Sequence, residues 1–402
     1  MWYERLTNFL SSIGLNRLKS DESVFTGTFE GCHVYLAIYV DDGLIMCESA
    51  NVLNRVITLI KHEFPIKVSK PSTFVGLEIA RLGERGPIHL HQGFYIDALA
   101  QKYNLPESKR PTVPLHPQVE LWKGPPTPDP SLPYRELIGS LLYLVKGTRP
   151  DIAFAVSRLA RFMTCYDESH YKAALNVLLY VQATSRLGLF YEGKGTKLKG
   201  FTDADHANDK VDRKSITGVL FQIGESTVTW ISKKQKCVAL SSTESEYMAL
   251  SEGSREAVWI RNLLEELNHG KEPTPIYLDN QSAIRLASNA EMHQRTKHID
   301  YKYHCVRDFI KKKLVTVHYI KTEEQTADFL TKALPRAKFD VCVQQSNMID
   351  LPAEFWTTKE EESVQGGKQG KFKAFMVRGK SKGKGKKTPS KSSEAGPAPP
   401  PN

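Results

Sequence analysis

Four acidic residues in the second half of the chain stand where a fold of mixed strands and helices can bring them together. Asp203 and Asp279 end strand-like segments, Glu246 lies in a helical segment, and Asp328 lies in the last predicted helix. Converging carboxylates repel one another unless cations lie between them, and hard oxygen ligands favour Mg²⁺ or Mn²⁺. Because two such ions activate a water and stabilise the leaving oxygen of a phosphodiester, the pattern predicts phosphodiester hydrolysis without a nucleophilic side chain.

The segment from Leu198 to about Leu334 has the hydrophobic periods of a sheet covered by helices. Strand-like stretches come first, KLKGFTDA, GVLFQIG and TVTWISKK, and a long helical stretch follows, TESEYMALSEGSREAVWIRNLLEEL. After it come strand TPIYLD, helices over NQSAIRLAS and HIDYKYHCVRDFIKKK, strand LVTVHYI and a final helix from about Thr322. This order predicts an α/β (α+β) fold whose mixed sheet positions the acids at strand ends and on packed helices.

Six stretches of this segment carry a family resemblance by their order and spacing: FTDADHAND, RKSITGVLF, WISKKQKCVALSSTESEYMAL, IYLDNQSAIRLA, RTKHIDYKYH and YIKTEEQTADFLTKAL. Over roughly residues 196–336 the chain closely resembles the ribonuclease H domain of copia-type retrotransposons. The resemblance implies a ribonuclease H-like mixed sheet with flanking helices. It also implies hydrolysis of the RNA strand of RNA–DNA hybrids, with two Mg²⁺ or Mn²⁺ ions as cofactors.

The resemblance also implies which residues bind the metal. The four acids of the family fall on the first Asp of FTDAD, the Glu before YMAL, the Asp of YLDNQ and the Asp of TADFLTK, which are Asp203, Glu246, Asp279 and Asp328. Asp205 stays open as an alternative to Asp203, because residues two apart on a strand share one face. Glu244 likewise stays open as an alternative to Glu246.

The stretch VYLAIYVDDGLIMCES has apolar residues on both sides of Asp41 and Asp42, as in a hairpin with two carboxylates at its tip. YVDD resembles the catalytic motif of reverse transcriptases, and MWYERLTNFL, FVGLEIAR, YRELIGSLLYL and TRPDIAFAVSRLARFM resemble successive copia-type segments after the fingers. A polymerase site needs a third carboxylate, and the acids before Tyr39 lie outside any convincing apolar strand. We therefore expect a truncated palm and no DNA synthesis by this chain alone.

The predicted organisation has four regions: a truncated reverse transcriptase at 1–112, a Pro-rich linker and helical connection at 113–195, the ribonuclease H domain at 196–336 and a tail at 337–402. The Pro-rich run should be an extended connector over the surface. Beyond about residue 360 the tail is basic and poor in large apolar residues, so we expect disorder there.

The net charge of +10 comes almost entirely from the tail, where residues 368–394 hold nine lysines and one arginine against one glutamate. This segment is predicted to contact nucleic acid non-specifically. The chain has neither a signal-peptide pattern nor the roughly 20 apolar residues of a membrane span. We therefore expect no membrane partner and an intracellular location, in a cytoplasmic virus-like particle or the nucleus.

Basic residues next to a histidine-rich stretch give a second candidate surface. Arg295, Lys297 and His298 are predicted to face nucleic-acid phosphates, against the alternative of an ordinary solvated face. A zinc site formed by His293, His298, His304 and Cys305 is disfavoured, because no second ligand pair follows at finger-like spacing. The six scattered cysteines indicate reduced thiols.

The function that the sequence predicts is that of a retrotransposon Pol fragment with ribonuclease H activity. Its partners would be an RNA–DNA hybrid and the remaining Pol segments. The alternative is a catalytically silent nucleic-acid-binding protein or a decayed retrotransposon reading frame. Such a protein would hold a hybrid with salt-dependent affinity and release no cleaved RNA.

Overall fold

Helices and strands follow one another along most of the chain, as the alternating hydrophobic periods predict. The computed structural model describes residues 2–83, 86–106, 110–125, 128–209, 211–270, 272–289, 301–351 and 373–379. Within this part the α-helices are α1 (Trp2–Ser12), α2 (Ala50–Glu63), α3 (Gly93–Lys102), α4 (Tyr134–Gly147), α5 (Ala153–Ala160), α6 (Glu168–Ala183), α7 (Ser242–Glu266), α8 (Gln281–Ser288), α9 (Cys305–Lys311) and α10 (Arg336–Gln345).

The strands of the same described residues form three sheets. In chain order they are β1 (Asn16–Arg17), β2 (Val24–Phe29), β3 (Cys32–Tyr39), β4 (Asp42–Cys47), β5 (Ile66–Ser69), β6 (Thr73–Phe74), β7 (Leu77–Arg81), β8 (Ile88–His91), β9 (Leu187–Tyr191), β10 (Leu198–Asp205), β11 (Ile216–Ile223), β12 (Ser226–Lys234), β13 (Thr274–Leu278), β14 (Val315–Tyr319), β15 (Met348–Asp350) and β16 (Lys373–Gly379). No helix of the described residues has both the length and the hydrophobicity that a bilayer crossing requires.

The sheet that carries the candidate acids has the order β12-β11-β10-β13-β14. Its first three strands form antiparallel hairpins, while β10, β13 and β14 run parallel. The long helix α7 packs on the sheet, and its Leu250 and Ala257 share a buried core with Val219 and Phe221 of β11. The expected mixed sheet with flanking helices is therefore confirmed.

The N-terminal sheet has the order β1-β2-β3-β4-β16-β5. Helices α1 and α2 cover it, and Leu10, Leu53 and Phe25 are buried between these layers. The predicted hairpin is present as β3 and β4. The disorder expected beyond residue 360 does not hold for strand β16, and the rest of that segment lies outside the described residues. Strand β16 pairs on both sides, with β4 and β5, so its backbone donors and acceptors are satisfied by neighbouring strands rather than by water.

The third sheet, β15-β9-β8-β7-β6, joins segments that are distant in sequence. Strand β8 precedes the Pro-rich run. Strand β9 follows the helical region, and β15 follows the acid-bearing sheet. This sheet therefore combines strands from the first, second and fourth predicted regions. The division of the chain into those regions stays a prediction.

The Pro-rich run has neither a helix nor a strand among its described residues between α3 and α4. It is nevertheless not confined to the surface, because Val113, Leu115 and Leu121 are buried. These side chains belong to the core that α4, α5 and α6 form. The prolines prevent regular pairing, while the apolar residues between them anchor the connector to the helices.

The C-terminal end of α7 contacts the loop that follows β1. The Glu266 carboxylate accepts hydrogen bonds from the backbone N–H groups of Lys19 (2.5 Å) and Ser20 (3.0 Å) and from the Ser20 hydroxyl (2.5 Å). The indole N–H of Trp259 donates to the Ser20 carbonyl at 3.2 Å. The N-terminal region is thus attached to the helix that carries one of the candidate acids.

Gly218 of β11 is the point where the sheet meets the segment that carries Asp328. A Cβ atom at this position would lie 2.6 Å from Thr331 Cγ2 and 3.0 Å from the Ala327 carbonyl oxygen. Because a backbone carbonyl moves only with its whole segment, Gly218→Ala is expected to lower the free energy of unfolding by about 1–3 kcal/mol. Chemical denaturation of the full chain measures this change.

The matched control is Gly139→Ala on the exposed face of α4. An added Cβ there meets no atom within 4 Å, and alanine stabilises a helix interior by about 0.5–1 kcal/mol relative to glycine. The two substitutions should therefore change stability in opposite directions. Stabilisation by both would contradict the close approach at Gly218.

Candidate active site

Strands β10 and β13 place two of the candidate acids at one edge of the sheet. The parallel register pairs Phe201 with Tyr277, and Asp203 and Asp279 each come two residues after their member of this pair. Asp203 is buried, while Asp279 follows β13 directly and is partly exposed. The Thr331 hydroxyl donates to Asp203 Oδ2 at 2.5 Å, and the Thr322 hydroxyl donates to Asp279 Oδ2 at 2.7 Å. Both carboxylates are therefore oriented by neighbouring threonines.

The third acid comes from the first turns of α7. Glu246 Oε1 accepts the backbone N–H of Ala204 at 3.1 Å, so the helix is joined to β10 beside Asp203. The helix comes this close to the sheet at Gly253, where a Cβ would lie 2.5 Å from Thr202 Cγ2. A glycine at this position lets Glu246 reach the strand edge.

These three acids form a compact oxygen cluster. One carboxylate oxygen from each of Asp203, Glu246 and Asp279 lies within 4.8 Å of the other two. The second oxygen of Glu246, Oε2, is buried and has no hydrogen-bond partner. An acceptor left without a donor in a buried site is costly, and a hard divalent cation is the ligand that suits three carboxylates. The residues present therefore fit Mg²⁺ or Mn²⁺.

The electrostatics of the cluster favour the binding of a cation. Burial raises the pKa of Asp203 to about 7, against the lowering effect of Lys332. Burial raises the pKa of Glu246 well above its usual range, and the nearby Asp203 and Asp279 charges add to the shift. Both shifts disfavour ionised carboxylates in the metal-free protein, whereas a bound cation favours them.

Asp328, the fourth candidate, lies close to the cluster but outside the compact group. It is in a short 3₁₀ helix, Thr326–Leu330, and a separate one spans Thr322–Glu324. The expected continuous helix from Thr322 was therefore wrong. Gln325 interrupts it, because this residue has an extended backbone and its side chain accepts from Ala327 N and donates to the Thr202 carbonyl.

Two lysines contact Asp328. Lys332 Nζ is 2.9 Å from Asp328 Oδ1 and 3.9 Å from Asp203 Oδ2. Lys338 Nζ is 3.5 Å from Asp328 Oδ2 and donates to the carbonyls of Thr322 and Glu323 at 2.7 Å each. Although burial alone would lower the pKa of Lys332, the Asp203 and Asp328 carboxylates raise it. Lys332 therefore contributes a positive charge between these two acids.

Sequence reasoning did not assign the threonines and the lysines around the acids. Thr331 and Lys332 lie in the motif TADFLTK, and Lys332 is four residues after Asp328. In a regular helix that spacing indicates an ion pair, a signal that could have identified Lys332. Thr322 has no such signal, because its contact with Asp279 spans 43 residues.

The two open alternatives occupy different environments from the clustered acids. Asp205 accepts a hydrogen bond from the Asn208 side-chain amide, and burial raises its pKa to about 6. Glu244 Oε2 accepts the backbone N–H of Leu240 at 2.8 Å, and its own N–H donates to the Ser241 hydroxyl at 3.2 Å. Glu244 thus stabilises the start of α7. The compact group contains neither residue.

The second predicted carboxylate pair lies at the turn between β3 and β4. Val40 and Asp41 are exposed there, and Asp42 begins β4 opposite Tyr39. Val40 has φ +51°, an unusual backbone conformation for a β-branched residue. Among the described residues, no third acid, histidine or cysteine completes a metal-binding group with this pair. The expectation that this chain alone does not synthesise DNA stays a prediction.

The predicted basic patch of Arg295, Lys297 and His298 lies outside the described residues. Close to it, the His304 Nδ1 atom is 2.9 Å from the Tyr247 hydroxyl, and the Cys305 Sγ atom is 3.4 Å from the Ser251 hydroxyl. In the described part of the chain, His304 and Cys305 belong to no group with metal-ligand geometry. The phosphate-binding role of the patch stays a prediction.

Comparison with known proteins adds a family context to this geometry. Residues 1–117 match the family described as reverse transcriptase (RNA-dependent DNA polymerase). The chain is 36% identical over 356 residues to the retrovirus-related Pol polyprotein from transposon TNT 1-94 of Nicotiana tabacum, an alignment that covers 86% of this chain and 27% of that protein. Identity is 37% to the corresponding polyprotein from transposon RE1 of Arabidopsis thaliana, with 87% and 24% covered. The chain thus spans about a quarter of these relatives.

Among solved structures, the N-terminal RNase H domain of a Mycobacterium tuberculosis protein, in a fusion with maltose-binding protein, aligns with 38% of this chain and 99% of that chain. The sequence identity is 12% and the TM-score is 0.25.

Proposed function

We propose, since this chain belongs to the family of copia-type retrotransposon Pol polyproteins, that it acts as a metal-dependent ribonuclease H. Its substrate is the RNA strand of an RNA–DNA hybrid, and its active site is formed by the acids Asp203, Glu246 and Asp279. The coarser assignment, a Pol fragment with a reverse transcriptase region, follows from the family itself.

The observation that carries the proposal is the convergence of three carboxylates from β10, α7 and the end of β13. Their oxygens lie within 4.8 Å of one another, and the buried Glu246 Oε2 has no hydrogen-bond donor. Buried like charges destabilise a fold unless they serve a ligand of opposite charge. This arrangement therefore supports a site built to hold a divalent cation.

Mg²⁺ or Mn²⁺, when bound, lowers the pKa of a water and stabilises the charge that develops on a phosphodiester oxygen. The chain's own residues supply the ligands and their orientation. Asp203, Glu246 and Asp279 would hold one ion, and Asp328 would join Asp203 in holding a second. Thr331 and Thr322 direct the carboxylates of Asp203 and Asp279. The 2′-hydroxyl groups of the hybrid would identify the RNA strand.

The test uses the purified full chain and a hybrid labelled on its RNA strand, with Mg²⁺ or with EDTA. Cleavage is expected only with the metal, and Asp279→Asn is expected to abolish it because one carboxylate ligand is lost. Asp308→Asn is the matched control. Asp308 lies on α9, where it pairs with Lys312 at 2.9 Å, so the same change of side chain there should leave cleavage intact.

The competing function, a silent nucleic-acid binder, predicts a different result from the same samples. It would bind the hybrid with an affinity that falls steeply with salt and release no RNA fragments with either metal ion. An uncut hybrid with a chain whose circular dichroism shows it to be folded would reject the ribonuclease proposal.

A further inference from the structure

The acid cluster already contains an ammonium group. Lys332 Nζ lies 2.9 Å from Asp328 Oδ1 and 3.9 Å from Asp203 Oδ2, so one cation bridges the fourth acid and the first. The two acids are almost completely buried, whereas the Lys332 side chain is 33% exposed. Lys332 therefore reaches from the surface into the buried site.

This bridge explains why the four acids divide into three and one. One carboxylate oxygen from each of Asp203, Glu246 and Asp279 lies within 4.8 Å of the other two, and Asp328 is not a member of that group. Asp328 instead pairs with Lys332 and, at 3.5 Å, with Lys338. The ammonium of Lys332 thus lies between the carboxylates of Asp203 and Asp328, where a second divalent ion would have to bind.

The two lysines differ in the contacts that hold their ammonium groups next to Asp328. Lys338 Nζ is held by the carbonyls of Thr322 and Glu323 at 2.7 Å each, in addition to Asp328. The contacts of Lys332 with Asp203 and Asp328 are both with carboxylates. A lysine on a flexible, partly exposed stem can turn its charge into water when a stronger cation takes over those carboxylates.

We propose that Lys332 is the resident counter-cation of the metal-free site, and that a divalent ion binding between Asp203 and Asp328 displaces it. Lys332 is thus a positioning residue that sets the affinity for the second ion. Until that ion arrives, its ammonium group compensates the charges of Asp203 and Asp328. This inference rests on the metal-dependent function proposed above and adds a competition between the chain's own cation and the metal.

The experiment measures MnCl₂ binding to the full chain without nucleic acid, by electron paramagnetic resonance of free Mn²⁺ and by the thermal unfolding midpoint. Lys332→Met removes the charge and keeps a long apolar stem. We expect it to bind the weaker Mn²⁺ at least tenfold more tightly than the wild type, and Mn²⁺ to raise its unfolding midpoint by a larger increment. Lys332→Arg keeps the charge and should bind Mn²⁺ within about twofold of the wild type.

Lys338→Met is the matched control, because it removes the same charge near Asp328 without touching Asp203. Its effect on the weaker Mn²⁺ site should be less than half that of Lys332→Met on a logarithmic scale. Unchanged or weaker Mn²⁺ binding by folded Lys332→Met would overturn the inference, as would equal effects of the two substitutions. Lys332→Gln serves as a second neutral variant if the methionine variant does not fold.

The outcomes separate this inference from the proposed function. A wild-type chain that cleaves the hybrid while Lys332→Met leaves Mn²⁺ affinity unchanged rejects the counter-cation alone. Tighter Mn²⁺ binding by Lys332→Met in a chain that cuts no hybrid supports the counter-cation and rejects the ribonuclease. Failure of both the wild type and folded Lys332→Met to bind Mn²⁺ at millimolar concentration rejects both.

Discussion

Asp203→Asn is expected to reduce the rate of hybrid cleavage by a factor on the order of 10³ or more, because it removes one negatively charged oxygen ligand from the proposed metal site. Asp205→Asn is expected to retain activity within about tenfold of the wild type. Asp203 belongs to the compact group with Glu246 and Asp279. Asp205 is not a member of that group, and its carboxylate accepts a hydrogen bond from the Asn208 side-chain amide. Single-turnover rates with saturating Mg²⁺ measure both effects.

The stability of the metal-free variants provides the control. Burial and nearby carboxylates raise the pKa of Asp203 to about 7, so its ionised form is disfavoured in the fold without metal. Replacing it by neutral asparagine should therefore leave the unfolding midpoint unchanged or higher, and lost activity cannot then be assigned to unfolding. If Asp205→Asn were the inactive variant, the ligand would be Asp205, and the geometric assignment would fail.

The choice between Glu246 and Glu244 as the metal ligand also depends on the hydrogen-bond partners of each carboxylate. Both are buried near the start of α7. The Glu244 carboxylate accepts a hydrogen bond from the backbone N–H of Leu240, four residues earlier in the chain. This hydrogen bond stabilises the start of the helix. Glu246 directs one oxygen to the backbone of β10 and leaves the other without a partner. The geometry therefore supports Glu246 as the ligand and Glu244 as a structural residue.

The order of elements could be predicted from sequence because burial sets the spacing of apolar residues in each element. GVLFQIG is a nearly continuous apolar run because β11 is buried on both faces, with Leu220 in one core and Val219 and Phe221 in another. The four candidate acids were predicted from sequence motifs, because a motif specifies the strand end or helix position at which each acid lies. Periodicity could not separate Asp203 from Asp205, because their difference lies in tertiary neighbours such as Thr331 and Asn208.

Other features depend on partners that are distant in sequence. The basic tail looked unable to fold by composition, yet β16 forms because two other strands, β4 and β5, supply its hydrogen bonds. The break at Gln325 depends on the Thr202 carbonyl, which is 123 residues away. Average composition and local periodicity contain no information about such contacts, so sequence reasoning predicted disorder in one case and a continuous helix in the other.

The buried ion pair of Arg149 and Asp151 was also invisible to sequence reasoning, and its removal should have the largest effect on stability. Both side chains are completely buried, with Arg149 Nη2 2.7 Å from Asp151 Oδ2. The guanidinium also donates to the hydroxyl and carbonyl of Thr184 at 2.7 and 3.0 Å, and the Tyr180 hydroxyl donates to Asp151 at 2.9 Å. The network joins the start of α5 to the end of α6.

Arg149→Met is expected to lower the free energy of unfolding by about 3–5 kcal/mol, because it leaves the Asp151 carboxylate buried without its cation. Arg149→Met combined with Asp151→Leu should lower the free energy of unfolding by less than the sum of the single changes, since the second substitution removes the uncompensated charge.

Arg5→Met is the exposed counterpart. Arg5 pairs with Glu63 at 2.5 Å with its side chain 64% exposed, and its loss should cost under about 1 kcal/mol. Urea unfolding of the full chain measures all of these, and a loss of under about 1 kcal/mol for Arg149→Met would show that water or a rearranged partner compensates Asp151.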